Sequence, residues 1–317
     1  MVRVSWHTQD YLYYITNRTR KYNIDNIART KAYQSFYKKH PEIKWALVAS
    51  VVSRNAGWNM TDLYTPTYKQ LLKEQERKRL FMTYERANWL IFSDAYPQLV
   101  VYELSTKLQV PLFHLLQNYH VSQFMIREWE RFWVTKDEDQ LLISLIINEQ
   151  NVIQHPVITQ SFFRRHIFLS LPYLAQDVLL LNAVLIPTTS GNLYGDFVHK
   201  FTHVSNRITL GKSLASQMFH PAIFPGLLNF ITKVEHTGSR QDYEVFLPTQ
   251  PTSSVFLRTT YPIIEHQDII RKDWYKSGGI KQTWYQLTKG QPKHMGKSFY
   301  QKRKWIATFS KIKNSFT

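Results

Sequence analysis

The chain has 317 residues and is 44% hydrophobic, enough to bury a sizeable core in one large domain or two fused ones. It contains no cysteine, which excludes disulfides, thiolate catalysis and cysteine metal sites. The formal net charge of +17 is uneven: residues 1–40 hold eight Lys/Arg against two Asp/Glu, residues 271–317 hold twelve against one, and residues 41–270 hold 20 of each.

In chain order, residues 8–38 read as helical, basic and rich in tyrosine, with His40-Pro41 marking a boundary. Residues 42–55 form a helix that is apolar on every face, as expected at the centre of a large fold, with Gly57 as its terminator. A charged helix over 69–78 leads into a helix over 80–96 that stops at Pro97, and another spans 99–108. Helices follow over 112–133 and 140–154, the latter capped by Asp137 or Asp139. Apolar helices are expected around 162–168 and 174–185, then a loop at 187–192. Helices over 193–204, 207–219 and 222–234 come next, then a polar turn from His236 to Arg240 and a linker over 245–254. Residues 255–261 are the one expected strand. The pattern predicts a mainly α protein: a basic helical segment at 1–40, a neutral all-helical core at 41–250, and a linker with a basic, aromatic-rich extension at 251–317.

Three apolar runs break into polar groups: Ser53-Arg54-Asn55, Ser93-Asp94 and Asn148-Glu149-Gln150-Asn151. Asp94 shares a helical stripe with Ala87, Leu90 and Ile91, and Glu149 shares one with Leu142, Leu145 and Ile146. Charges on core-facing stripes need partners. Arg54 offers one, so Arg54, Asp94 and Glu149 are expected either to form a register-fixing network or to line one polar pocket with Asn55, Asn148, Asn151, Glu85 and Asn88. His236, Arg240 and Asp242 add the densest run of chemically capable side chains, in a turn able to cradle an anion or simply to hydrogen-bond itself. Gly211-Lys212-Ser213 and Gly296-Lys297-Ser298 lack the upstream glycine of a phosphate-binding loop, having Asn206 and Gln291 in its place. Neither a His-Glu-x-x-His nor a Gly-x-Ser-x-Gly motif occurs, so no metal and no cofactor is expected.

In the basic C-terminal segment, Trp305, Phe309, Ile312 and Phe316 fall on one helical stripe, flanked by Lys302, Arg303, Lys304, Lys311 and Lys313. Such a helix can lie on an anionic membrane surface, grip nucleic acid, or dock on its own domain. No apolar run reaches the ~18 residues of a membrane span, and the N-terminal residues lack an apolar signal region. A cytoplasmic protein is the expectation.

Several runs together resemble a known family. They are residues 40–47 and 53–63 (Ser-Arg-Asn-Ala-Gly-Trp-Asn-Met-Thr-Asp-Leu), 89–99 (Trp-Leu-Ile-Phe-Ser-Asp-Ala-Tyr-Pro-Gln-Leu), 147–151 and 236–240. The chain is similar over about residues 25–245 to the YppC-like family of uncharacterised proteins from spore-forming Gram-positive bacteria. The resemblance implies a bacterial protein and carries over no activity, cofactor or catalytic residue. Two functions remain in view: a binding or structural protein that meets nucleic acid or a membrane surface through its basic ends, and an enzyme with a buried polar site acting on a phosphorylated or carboxylated small molecule.

Overall fold

The computed structural model describes residues 7–158, 180–197, 202–248, 254–267, 270–276, 279–286, 288 and 290–315, without the side chains of residues 155 and 312–315. It is mainly α-helical, with a single two-stranded sheet among the described residues. The N-terminal helices are α1 (Thr8–Tyr22) and α2 (Asn26–Lys39), and Asp25 caps α2 by accepting from the Ala28 amide at 2.7 Å. Helix α3 (Lys44–Asp62) is the central rod, and α2, α5, α7 and the sheet pack around it. Its apolar first half and polar second half are both buried. Gly57 does not end it. A Cβ there would lie 2.5 Å from Asn26 Oδ1 and 3.0 Å from the His236 ring, so glycine lets α2 and the 236–240 turn approach the rod.

After the short α4 (Pro66–Leu71), α5 runs unbroken from Glu74 to Leu108, through Pro97. Proline removes the amide that would bond the Ser93 carbonyl. Arg271 Nη2 reaches that carbonyl at 3.5 Å, and Asn23 Nδ2 ties down the Ser93 hydroxyl at 2.9 Å. A 3₁₀ stretch (Phe113–Tyr119) replaces the first part of the expected 112–133 helix, and α6 (Gln123–Thr135) begins at the Ser122 cap. Asp137 caps α7 (Glu138–Val152), its carboxylate accepting from the Gln140 amide at 2.9 Å. A π-helical turn follows at Gln154–Ile158. The helix expected at 162–168 lies outside the described residues.

Where helices were expected to end at 185 and begin at 193, the chain forms an antiparallel hairpin, β1 (Ala183–Pro187) with β2 (Leu193–Phe197). Its turn uses Gly191 at φ +79°, and β-branched and aromatic residues suit the strands. Both edges are occupied. Asn55 of α3 exchanges two hydrogen bonds with the Leu185 backbone (2.7 and 2.8 Å), and Met295 N donates to Leu193 O at 2.8 Å across the other edge. Helices α8 (Val204–Met218) and α9 (Phe224–Lys233) complete the body.

The expected strand at 255–261 is instead a helical turn, Leu257–Thr260. From there the described chain straps across the body. Tyr261 stacks on Phe81 at 3.9 Å and donates to the Met60 carbonyl at 2.9 Å. Trp284 Nε1 donates to Ser205 Oγ at 3.1 Å. The strap ends in helix α10 (Gly296–Ser315), which packs beside α4. No described helix is long and apolar enough to cross a membrane.

Candidate functional site

The second half of α3 projects Arg54, Trp58, Asn59 and Asp62 into the surrounding elements, and two polar centres form on it. In the first, His236 lies between two acceptors: Nε2 is 2.8 Å from Asn26 Oδ1 and Nδ1 is 3.2 Å from Asp242 Oδ2. Asn26 is oriented by donating to the Ser53 carbonyl at 2.8 Å. Burial pushes the His236 pKa down to about 4, with Asp242 opposing. A neutral ring can donate to only one of its two acceptors. Asp242 is held below the usual carboxylate range against the effect of burial, by His236, Thr237 and the Trp58 indole, which donates at 3.1 Å. His236 is 1% exposed and Asp242 6%, so this pair braces the turn against α3 and presents no surface to solvent. Arg54 sits nearby at 1% exposure. Its Nη2 donates to the Val234 carbonyl at 2.9 Å and to Gln34 at 3.4 Å, and its guanidinium lies 5.4 Å from the Phe230 ring. Its Nε and Nη1 find no partner among the described residues, and burial lowers its pKa to about 10.

The second centre is Asp62. Arg240 Nε donates to its Oδ2 at 2.7 Å and Arg303 Nη1 to the same oxygen at 2.9 Å. Arg240 also donates to Tyr243 Oη (2.9 Å) and Asn59 Oδ1 (3.0 Å). Burial opposes the charge on Arg240, and Asp62 overrides it, holding the guanidinium above its usual pKa. Two guanidiniums thus share one carboxylate.

Asp94 and Glu149 lie elsewhere. Asp94 Oδ2 accepts from Asn148 (2.6 Å) and Gln98 (2.7 Å), and Arg271 stands off at 4.0 Å from Oδ1. Burial raises its pKa, with Arg271 and the two amides opposing. Asn148 Oδ1 in turn accepts from Ser122 (3.0 Å) and Trp274 (2.9 Å). Glu149, half-buried, accepts from the Trp45 indole at 3.0 Å and Gln150 at 2.9 Å, and burial pushes it up to about 7. Among the described contacts, Asn151 bonds the Ile147 carbonyl of its own helix, at 2.8 Å. Glu85 pairs with Arg29, and Asn88 bonds the Tyr84 carbonyl. The structure brings His236, Asp242 and Arg54 together. It puts Arg240 with Asp62, which sequence reasoning missed, and it leaves Arg54, Asp94, Glu149 and Arg240 without a hydrogen bond or ion pair to one another among the described contacts. Asn55 is spent on the hairpin. Among the described residues no group of three or more His, Asp or Glu side chains could hold a metal ion.

A groove of about 1040 Å³ lies between the start of α4, the 191–193 turn, Leu247-Pro248 and one flank of α10. Among the described residues its cationic lining is Lys297, Arg303 and Lys304, with His294 beside them and no carboxylate. It gathers residues from four distant stretches, and no local signal announces it beyond the cations of α10.

Helix α10 has three sides. Phe299, Ile306 and Ser310 are buried and Arg303 turns in to Asp62, so this face is docked. Lys297 and Lys304 border the groove. Trp305 and Phe309 point outward, 76% and 62% exposed, and Lys302, Lys304 and Lys311 beside them are exposed as well. Lys302 Nζ lies 4.1 Å from the Phe197 ring. Nothing is described of the Ile312 and Lys313 side chains or of Phe316.

Residues 21–306 match a family described as a protein of unknown function, DUF2515. The uncharacterised protein YppC of Bacillus subtilis strain 168 is 46% identical over 272 residues, which are 86% of this chain and 85% of that protein. No solved structure matches.

Proposed function

The chain belongs to the DUF2515 family of proteins of unknown function, and we propose that it is a binding protein that rests on an anionic membrane surface through helix α10. The observation that carries this reading is the pair Trp305 and Phe309, one turn apart and left in water on a helix that already has another face docked. A helix that needed aromatics only for packing would turn them inward, as α10 does with Phe299.

The arrangement around the rings supports a flat partner. At about 100° per residue, Trp305 and Phe309 lie about 40° apart on the exposed arc, with Lys302 just beyond Phe309 and Lys304 and Lys311 at the far side of the arc, across Gln301 and Thr308. Cations flanking a protruding apolar stripe suit a helix lying in a headgroup layer, its rings at the acyl boundary and its lysines among the phosphates. Each lysine near such a surface contributes about 1 kcal/mol, and burying each ring about 1.5–3 kcal/mol. The net charge of +17 adds long-range attraction.

Co-sedimentation with vesicles of phosphatidylcholine, with and without phosphatidylglycerol, tests the proposal. Binding should require phosphatidylglycerol, weaken with salt, and fall by ~100-fold in Trp305→Ala/Phe309→Ala, given the apolar area those rings would bury. Salt-sensitive binding of single-stranded oligonucleotides, with none to the anionic vesicles, would replace the membrane by nucleic acid. The enzyme alternative has less support, since His236, Asp242 and Arg240 are sealed from solvent.

A further inference from the structure

We propose that the groove between α4, the β1–β2 turn and α10 is a binding site for a phosphate ester with a ring-sized apolar body. The groove volume, about 1040 Å³, lies at the top of the range of about 300–1,000 Å³ typical of small-molecule sites and is too large for a bare phosphate. Lys297 and Lys304 stand on one flank of α10, seven residues apart, which places them about 10 Å apart along the axis. Arg303 also forms part of the wall.

Arg303 is the anchor. Its Nη1 is fixed by Asp62 at 2.9 Å, so the fork is already oriented and loses little freedom when it meets an anion. Asp62 cannot neutralise it fully, because Arg240 claims the same oxygen at 2.7 Å. Glu244 accepts the hydroxyl of Tyr300, a lining residue, at 2.7 Å and is not itself in the lining. Among the described residues, nothing in the lining offers a competing negative charge. Part of the wall is apolar: Leu193, Leu247, Pro248, Ile306 and Ala307 supply a surface for a ring or a short chain, beside polar residues such as Thr65, Asn192 and Gln301. A cationic end and an apolar wall in one groove call for a ligand with both parts.

The phosphate could belong to a soluble ester or to a lipid headgroup, and the site shares Lys304, but not Trp305 or Phe309, with the surface proposed above to meet the bilayer. Calorimetry on the full chain with phenyl phosphate and inorganic phosphate tests it. Phenyl phosphate should bind at least about tenfold more tightly than inorganic phosphate, and Lys297→Gln/Lys304→Gln should weaken it at least about tenfold, as loss of paired charges does. Ala307→Phe, which fills the groove and leaves the cations in place, should weaken it as well. Trp305→Ala/Phe309→Ala should leave phenyl phosphate binding intact, so failure of the membrane reading and failure of this one are separately visible. Vesicles holding phosphatidic acid that displace phenyl phosphate, when phosphatidylglycerol vesicles do not, would support the site and name a lipid headgroup as the source. Displacement by neither would support a soluble ester. No binding of phenyl phosphate at millimolar concentration, or binding unaltered by both groove variants, would overturn the proposal.

Discussion

Asp62 and Asp94 are equally hidden, at 0% and 2% exposure, yet the protein treats their charges in opposite ways. Asp62 holds two guanidiniums within 2.9 Å. Asp94 holds two amides, and its nearest cation stays 4.0 Å away. Burying an ion is costly unless an opposite charge is close, so the first centre is an ion cluster and the second a polar knot whose carboxyl is pushed toward the neutral form. Buried carboxylates of equal exposure therefore differ in what their removal would do.

The largest effect should come from the ion cluster. Asp62→Asn leaves Arg240 and Arg303 without a counter-charge, and urea unfolding should show a loss of about 3–5 kcal/mol, the usual cost of stranding a buried charge. A loss no greater than that of an ordinary surface change would abolish the contrast between the two centres.

Glu149 extends the comparison to pH. Its folded pKa, raised from 4.5 to about 7, means that the folded state binds the proton more tightly than the unfolded chain. That contribution is complete below about 4.5 and is lost as pH rises to about 7. Unfolding titrations should therefore show Glu149→Gln gaining up to about 3 kcal/mol on wild type between pH 4 and pH 8. A parallel pH dependence in the two proteins would mean that Glu149 titrates normally.

Asp94→Asn is expected to be mild, at most about 1 kcal/mol at neutral pH, because an amide oxygen can accept from Asn148 and Gln98. If it matches Asp62→Asn, Arg271 is a true counter-ion and the two centres are alike. Smallest of all, Trp305→Ala/Phe309→Ala should change stability by less than about 0.5 kcal/mol, as exposed substitutions do. A large loss would show these rings to be packed against the body.

Parts of this arrangement are legible in the chain. The helical phase of Asp94 marks it as core-facing, and the structure buries it. The apolar run at 45–52 is the start of the central rod. Other parts are not. Pro97 reads as a stop, but α5 continues because Arg271 and Asn23, both distant in sequence, support the weakened turn. Gly57 reads as a terminator, but it is a contact point for Asn26 and His236. The 183–197 hairpin reads as helix because its short apolar runs fit either period; Asn55 and Met295 hold its edges as strands.

The sequence by itself determined the helical class, the uneven charge and the stripe that joins Trp305 to Phe309, since composition and helical phase are local properties. Only the tertiary structure decided that this stripe faces out while Arg303 turns in, and that Arg240 meets Asp62, 178 residues away. Which face of a helix is buried, and which carboxylate a guanidinium finds, depend on what the rest of the chain places beside it.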